Sequence, residues 1–540
     1  MTSRSLPSRS LPSRVVALLS TALLTVLVAL FSYGQPAQGQ EGAANTPLQE
    51  AQKRLLEAFA KTQELVDSEE YDKAIEAYTQ IIKATGGFNP TPYIKRAEVY
   101  SLLENYEKAI DDLNDALTYA IDLPKVVAEA EALRGEIYLE QGDIGRAFQD
   151  LTSATKEIRE NAKLQFLLGK VQIIAGQVPA GLETFKLYEE LQDPEFEDRE
   201  TEFYRLRSQA YTELRRFEEA QADLDRAIEI DPTDHENYLS RARIFMAEQS
   251  FSAAAASFAD AIQNYQPEDE NNTLPPISAY LARAAALEEV GRATTDPSEE
   301  KKALNEAKAT VEALLSALPQ TPGLEPTQSA AQFRLGVTER LLGNLPAAID
   351  AFTSAIDLNP AAQPEFQGQV YFRRGICYFY TGEEELALLD FDAASARMLA
   401  DPRGYLWAGR TYAQEGKYLE AIRSYGEALA ISDRYTEAHV HRGLAYFRIG
   451  DYERANTDFN NAIRIKPKVA VAYYYRGVVY SLLEKSDKAI ASLTKAIERD
   501  PRLIDAHRAL ADELRKSGQS DLASEYDRRA AELKSPANAS

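Results

Sequence analysis

The sequence predicts an all-α chain assembled from one repeated pair of helices, and three observations predict it. The first is a register of 34 residues: Gly375, Gly409, Gly443 and Gly477 keep that spacing, and Tyr378, Tyr412, Tyr446 and Tyr480 follow in step, as do Ala387, Ala421, Ala455 and Ala489. The second is periodicity inside each unit. Large residues at the fourth, seventh and eleventh positions mark one amphipathic helix, and small and aromatic residues mark a second. The third is punctuation. Gly142, Gly176, Gly343, Gly382, Gly416 and Gly450 stand where the first helix must end, as residues able to take positive φ, and Pro232, Pro360, Pro467 and Pro501 stop the second helix.

Taken in chain order, residues 1–39 come first. Arg4, Arg9 and Arg14 precede an uncharged apolar run from Val15 to Phe31, and no acid occurs before Glu41. A basic stretch before an apolar one is an export signal, and the positive-inside rule sends everything after Phe31 across the membrane. The run has 17 residues, which suits either a cleaved signal peptide or a single N-terminal anchor over residues 15–31. The expected location is periplasmic or extracellular.

Composition excludes several classes. Asp and Glu outnumber Lys and Arg by 84 to 60, for a net charge of -24, and such a surface repels nucleic acid and anionic lipid. Cys377 is the single cysteine, so the chain has no intramolecular disulfide and no Cys-x-x-Cys site. Within the helical stretch Tyr371–Tyr380 it reads as a small buried hydrophobe. There is no Gly-rich phosphate loop, no His-Glu-x-x-His and no Gly-x-Ser-x-Gly. His235, His439, His441 and His507 are the only histidines, and packing is the reading favoured for them over metal binding. No catalytic residue, metal or cofactor is expected.

The repeated pattern resembles the tetratricopeptide repeat, whose large-Leu-Gly-Tyr, Ala-Phe-Ala and Pro positions are met, for example, by Tyr473, Gly477, Tyr480, Ala489, Leu493, Ala496 and Pro501. Thirteen units begin near Leu55, Pro90, Ala128, Ala162, Thr201, His235, Ile277, Ser329, Gly368, Pro402, Thr436, Ala470 and Ile504. A lone helical pair cannot bury its apolar face, so neighbours must supply the core. The resemblance implies that the thirteen hairpins stack into a right-handed superhelical solenoid. Residues 40–54 read as a linker into the first helix and 55–291 as an N-terminal array. The spacing from Ile277 to Ser329 lengthens to 52, so 292–328 is expected to hold irregular helix and linker, with a bend or boundary. Residues 329–540 form a C-terminal array with a polar capping helix, and the acidic Pro267–Pro276 segment reads as a surface loop.

Arg recurs at the seventh position, as Arg96, Arg134, Arg207, Arg241, Arg283, Arg374, Arg442 and Arg476. Asp112, Asp150, Asp223, Asp390 and Asp458 occupy the twenty-third position only in units that carry this Arg. Units with Leu168, Leu335 or Ala408 have Thr184, Ala351 or Ser424 there. The pairing predicts bridges between the two helices of one unit, so these Arg are not assigned to a binding site.

Positions two, five, nine and twelve of the first helix form a separate stripe, which the resemblance places on the concave groove. From the eighth unit onward this stripe and its flanks hold Phe333, Phe372, Phe379, Trp407, Phe447, Tyr474 and Tyr475, interleaved with Arg334, Arg340, Arg373, Arg410 and Arg448. Aromatics and Arg carry binding energy at protein interfaces, so a peptide-binding groove is expected here. Packing against the next unit explains the aromatics equally well. No unit pairs Lys at the fifth position with Asn at the ninth, the arrangement by which some members of the family clamp a terminal carboxylate. A non-catalytic scaffold for a protein or peptide partner is the function predicted. A carbohydrate-binding or carbohydrate-processing solenoid would use the same aromatics, but interleaved Arg favours acidic peptides.

Overall fold

The computed structural model describes residues 47–191, 200–267, 274–319 and 322–534. The expected leader and anchor, part of the 40–54 linker and most of the Pro267–Pro276 segment lie outside the described residues. Among the described residues there are 26 helices, the number that thirteen pairs require, and no strand. No helix among them is long and apolar enough to cross a membrane.

The chain divides into two compact units, the first ending at Gln249 and the second beginning at Ser250. The first contains α1 (Pro47–Asp67), α2 (Tyr71–Ala84), α3 (Thr91–Leu102), α4 (Tyr106–Tyr119), α5 (Pro124–Glu140), α6 (Ile144–Glu157), α7 (Ala162–Ile174), α8 (Val178–Leu191), α9 (Glu200–Glu213), α10 (Phe217–Ile230) and α11 (His235–Ala247). The second runs through α12 (Phe251–Gln263), α13 (Ile277–Ala293), α14 (Pro297–Ala317), α15 (Glu325–Leu341), α16 (Leu345–Leu358), α17 (Pro364–Thr381), α18 (Glu384–Arg397) and α19 (Arg403–Gln414). It continues through α20 (Tyr418–Ile431), α21 (Thr436–Arg448), α22 (Tyr452–Ile465), α23 (Ala470–Leu482), α24 (Ser486–Arg499), α25 (Ile504–Lys516) and α26 (Ser520–Lys534).

The division at Gln249/Ser250 lies ahead of the boundary that the sequence suggests after residue 291, and the 292–328 stretch is mostly regular. The reason is helix length. α13 has 17 residues and α14 has 21, against 13 or 14 in most of the repeat helices, so the extra sequence is taken up as added helical turns. α14 packs against both α13 and α15 and continues the array.

Each first helix except the lengthened α13 ends where the spacing predicts. The six glycines proposed as stops all have φ between 76° and 82°. Units without glycine there force Glu69, Glu104, Arg215, Gln249 and Glu484 into the same left-handed conformation, a strain that glycine avoids.

Burial is distributed along each unit rather than gathered at a centre, as stacked repeats require. In the first unit, Leu151, Phe166, Phe185 and Phe203 join α6 through α9 in one cluster. In the second, Phe352 with Val370, Phe391 with Ala408, and Phe459 with Ala472 each join a second helix to the next first helix.

In seven of the hairpins the helices meet at a glycine: Gly135, Gly169, Gly336, Gly375, Gly409, Gly443 and Gly477. A Cβ on Gly409 would lie 2.6 Å from the Tyr425 ring, on Gly443 2.8 Å from the Phe459 ring, and on Gly477 2.6 Å from Leu493 Cγ. These partners are almost completely buried and have no room to retreat. Gly426, by contrast, has only the tip of Arg442 near its missing Cβ, at 3.9 Å. Gly443→Ala is expected to lower the unfolding midpoint, because overpacking costs about 1–3 kcal/mol against a gain of about 1 kcal/mol in helix propensity. Gly426→Ala is expected to raise it by about 0.5–1 kcal/mol, and urea melts of the two variants read the difference in sign.

Candidate functional site

The five Arg–Asp pairs bridge the helices of single hairpins, as the covariation among repeats requires. Arg96–Asp112, Arg134–Asp150, Arg207–Asp223, Arg374–Asp390 and Arg442–Asp458 close at 2.7, 2.7, 2.6, 2.9 and 2.8 Å. In each, Nε and one terminal nitrogen donate to the two carboxylate oxygens. Burial pushes the Asp112, Asp223 and Asp390 carboxyls above their ordinary value even against the adjacent guanidinium. Burial acts in the same direction on Asp458, but hydrogen bonds from Arg442 and His439 outweigh it and hold that carboxyl below its ordinary value. These carboxylates are occupied within the protein and are not free to meet a ligand.

The histidines and the cysteine have packing partners. His439 Nδ1 lies 2.9 Å from Asp458 and its Nε2 2.9 Å from the Asp433 carbonyl, and His507 Nε2 lies 3.0 Å from the Pro501 carbonyl. Cys377 is fully buried, and burial pushes its thiol up to about 11.

The expected groove residues lie on α15, α17, α19, α21 and α23, first helices that contact one another in succession. This places their exposed faces on one side of the second unit. The aromatic residues pack across hairpins while most keep some surface. Phe333 meets Phe352 at 5.9 Å and Phe366 at 5.4 Å between ring centroids. Phe379 meets the edge of Trp407 at 5.3 Å, and Trp407 in turn meets Phe391 at 6.1 Å. Phe447 sits between Tyr452 at 5.8 Å and Tyr475 at 5.9 Å, and Tyr474 meets Tyr475 at 4.8 Å. Phe372 differs from the rest. It is only 6% exposed, sits in the core with Phe391, and offers no surface to a ligand.

The five Arg of the expected site separate into distinct environments. Arg334 donates to Glu288 at 3.0 Å, and Thr338 Oγ1 donates to the same buried carboxylate at 2.7 Å, so this guanidinium ties α15 to α13. Arg410 lies over the Trp407 ring at 3.9 Å and reaches Phe379 at 5.5 Å, a cation–π sandwich at a partly exposed position. Arg448 is exposed on the last turn of α21. Arg340 and Arg373 each carry a buried Nε without a hydrogen-bond partner, and Arg373 stacks over Phe333 at 5.6 Å.

Three neighbours fall outside the residues expected for the site. Tyr380 is 60% exposed and meets Trp407 at 6.1 Å, one residue past the stripe. Arg403, at the second position of its unit, stacks over Phe372 at 4.9 Å, and Arg292 closes the last turn of α13. Tyr380 and Arg403 had sequence signals in their register; Arg292 lies in the lengthened unit, where register fails.

Models of the tetratricopeptide repeat match residues 91–120, 201–234, 304–363 and 470–503, and models described as TPR repeat match 409–450 and 443–484. The chain is 23% identical over 302 residues to the mitochondrial import receptor subunit TOM70 of Homo sapiens, covering 56% of this chain and 46% of that protein. It is 38% identical over 66 residues to tetratricopeptide repeat protein 36 of Caenorhabditis elegans, covering 12% and 36% respectively. The chain thus spans less than half the length of either relative. Among solved structures, MamA is 26% identical with a TM-score of 0.29, covering 30% of this chain and 94% of that one. A tetratricopeptide repeat protein from Parabacteroides merdae ATCC 43184 is 19% identical with a TM-score of 0.35, covering 47% and 94%.

Two outcomes follow from these environments. Asp390→Ala leaves the Arg374 guanidinium without its carboxylate and is expected to cost about 3–5 kcal/mol in urea unfolding, most of it recovered by Arg374→Met with Asp390→Leu. His441 stacks on Tyr425 at 5.8 Å, and burial, helped by Arg410, pushes its imidazole down to about 4. The unfolded chain takes up this proton near pH 6.5 and the folded chain only near 4, so acidification through that window favours unfolding. Melting temperature measured from pH 7 to 4 is expected to fall less steeply in His441→Phe than in the wild type.

Proposed function

We propose that this chain, a member of the tetratricopeptide repeat family, is a non-catalytic scaffold that holds a partner peptide or protein along the first helices of its second unit, outside the cytoplasm. The observation that carries the proposal is the cluster of Trp407, Phe379, Tyr380 and Arg410. A guanidinium 3.9 Å over an indole, beside a tyrosine 60% exposed, is an unusual concentration of interface-forming groups on a surface otherwise rich in carboxylates. Core packing alone needs no Arg over the ring and no exposed tyrosine at its edge. The Arg374–Asp390 and Arg442–Asp458 bridges of the hairpins on either side of Trp407 help keep such a surface preformed, which reduces the entropy lost on binding.

The export signal supports a location beyond the membrane, and a single cysteine makes the chain insensitive to disulfide chemistry there. The relative named as an import receptor subunit supports a role in engaging other proteins. Guanidinium groups beside the rings favour acidic peptides over sugars, for which carboxylates and amides would be the expected companions.

The proposal is tested by affinity capture with the full chain from cell-envelope and cytosolic extracts, comparing wild type with Trp407→Ala plus Arg410→Ala. A defined protein recovered from the envelope extract by the wild type, and reduced about tenfold or more by the variant at unchanged helical content, is the expected result. An unchanged partner list in the variant would place binding elsewhere and leave the rings as packing.

A further inference from the structure

Arg340 and Arg373 stand out against the charge pattern of the whole chain. Acids outnumber bases by 84 to 60, so a carboxylate partner is easily supplied, and the neighbouring guanidinium groups have one. Arg292 pairs with Glu289, Arg334 with Glu288, and Arg403 with Asp401. Arg340 and Arg373 form no ion pair or hydrogen bond among the described residues, and the Nε of each is buried.

The two are brought together by the stacking of first helices. Arg373 on α17 lies over Phe333 on α15, at 5.6 Å, and Arg340 lies two turns farther along α15 on the same face. Arg340 is also near enough to α17 to favour the thiolate of Cys377, one turn beyond Arg373. Burial, together with the positive charges of Arg340, Arg403 and Arg292, holds Arg373 below its ordinary value even against the opposing charge of Glu288, which Arg334 already engages. After the three internal pairs are set aside, this patch carries two uncompensated positive charges. A half-buried like-charge pair with unsatisfied donors opposes folding, and a ligand that neutralises it would be bound with the donors already in place.

Resting on the groove reading above, we infer that Arg340 and Arg373 form the anchor of that groove for a doubly charged oxyanion on the partner, with guanidinium donors converging from α15 and α17. Two peptide sources share this chemistry: a phosphomonoester on one side chain, or the carboxylates of two adjacent acidic residues. In either case the guanidinium N–H groups donate to a pair of oxygens, and the Phe333 ring holds one guanidinium plane in position.

The test uses the full chain and two capped peptides, one with a single phosphoserine and one with two adjacent glutamates, titrated by calorimetry at low and physiological salt. At least one peptide is expected to bind one to one, with affinity falling as salt rises. Arg340→Gln plus Arg373→Gln is expected to weaken that binding about tenfold or more, whereas Arg423→Gln plus Arg464→Gln, which removes the same charge from exposed positions on second helices, leaves it intact. In chloride buffer free of phosphate, sulfate and carboxylates the first variant is expected to melt no lower than the wild type, because a like-charge pair has been removed, so a loss of binding is not a loss of fold. Binding of the phosphopeptide alone, of the glutamate peptide alone, or of both would support the anchor and say which oxyanion it takes. Binding of neither, or binding unaffected by the Arg340/Arg373 change, would overturn it. If neither peptide binds while Trp407→Ala plus Arg410→Ala still loses its captured partner, the groove stands and only the anchor falls. An unchanged partner list beside intact peptide binding would reject the groove and separate the anion site from it.

Discussion

The structure depends on how closely two helices can approach at the eighth position of the repeat. A small residue there lets the large side chain sixteen residues later lie directly on the first helix backbone, as Tyr425 does on Gly409 and Phe459 on Gly443. That contact sets the distance between the helices of a hairpin. In the five units that carry the pair, the Arg one residue before that small residue and the Asp one residue before the large side chain then face each other at hydrogen-bond distance. Steric fit and charge pairing are therefore two consequences of one approach. The bidentate bridge also fixes rotation of one helix against the other, which apolar contact alone leaves loose.

With the hairpin defined, its remaining apolar surface has only the neighbouring hairpin to cover it. Phe391 reaches Ala408 and Trp407, and Phe459 reaches Ala472 and Tyr475, so each second helix supplies the floor on which the next first helix rests. This explains why the aromatic stripe is shared between packing and surface. Phe372 lies wholly on the packing side, while Trp407 has one part of its ring against Phe391 and carries Arg410 over its face. A rigid scaffold that presents half-buried rings pays little conformational entropy when those rings meet a partner.

The acidic surface and the local excess of guanidinium groups belong to one electrostatic picture. A net charge of -24 makes most of the chain repel anions, and the patch with two unpaired Arg is a local exception to that sign. Arg334 illustrates the contrast. It lies on the same helix as Arg340, yet its charge is satisfied by Glu288 within the protein.

Helix boundaries, the left-handed stops and the intrahelical register were legible in the sequence because repetition allowed each position to be compared with its equivalents. The Arg–Asp bridges were legible for the same reason: Asp occurs at its position only where Arg occurs at the other. The lengthened α13 and α14 were not, because Gly291, at the stop position of other units, stays inside α13, and Pro297 opens α14 instead of breaking the array. Nor could sequence separate Arg334, Arg340 and Arg373, which occupy one expected stripe. Whether a guanidinium meets Glu288, a ring or no partner depends on side chains from other helices, and that is decided only when successive hairpins are stacked. The sequence by itself determined the repeat and the stripe of first-helix positions, since these follow from local periodicity; tertiary structure decided which of those positions are satisfied, because satisfaction is a property of neighbours distant in the chain.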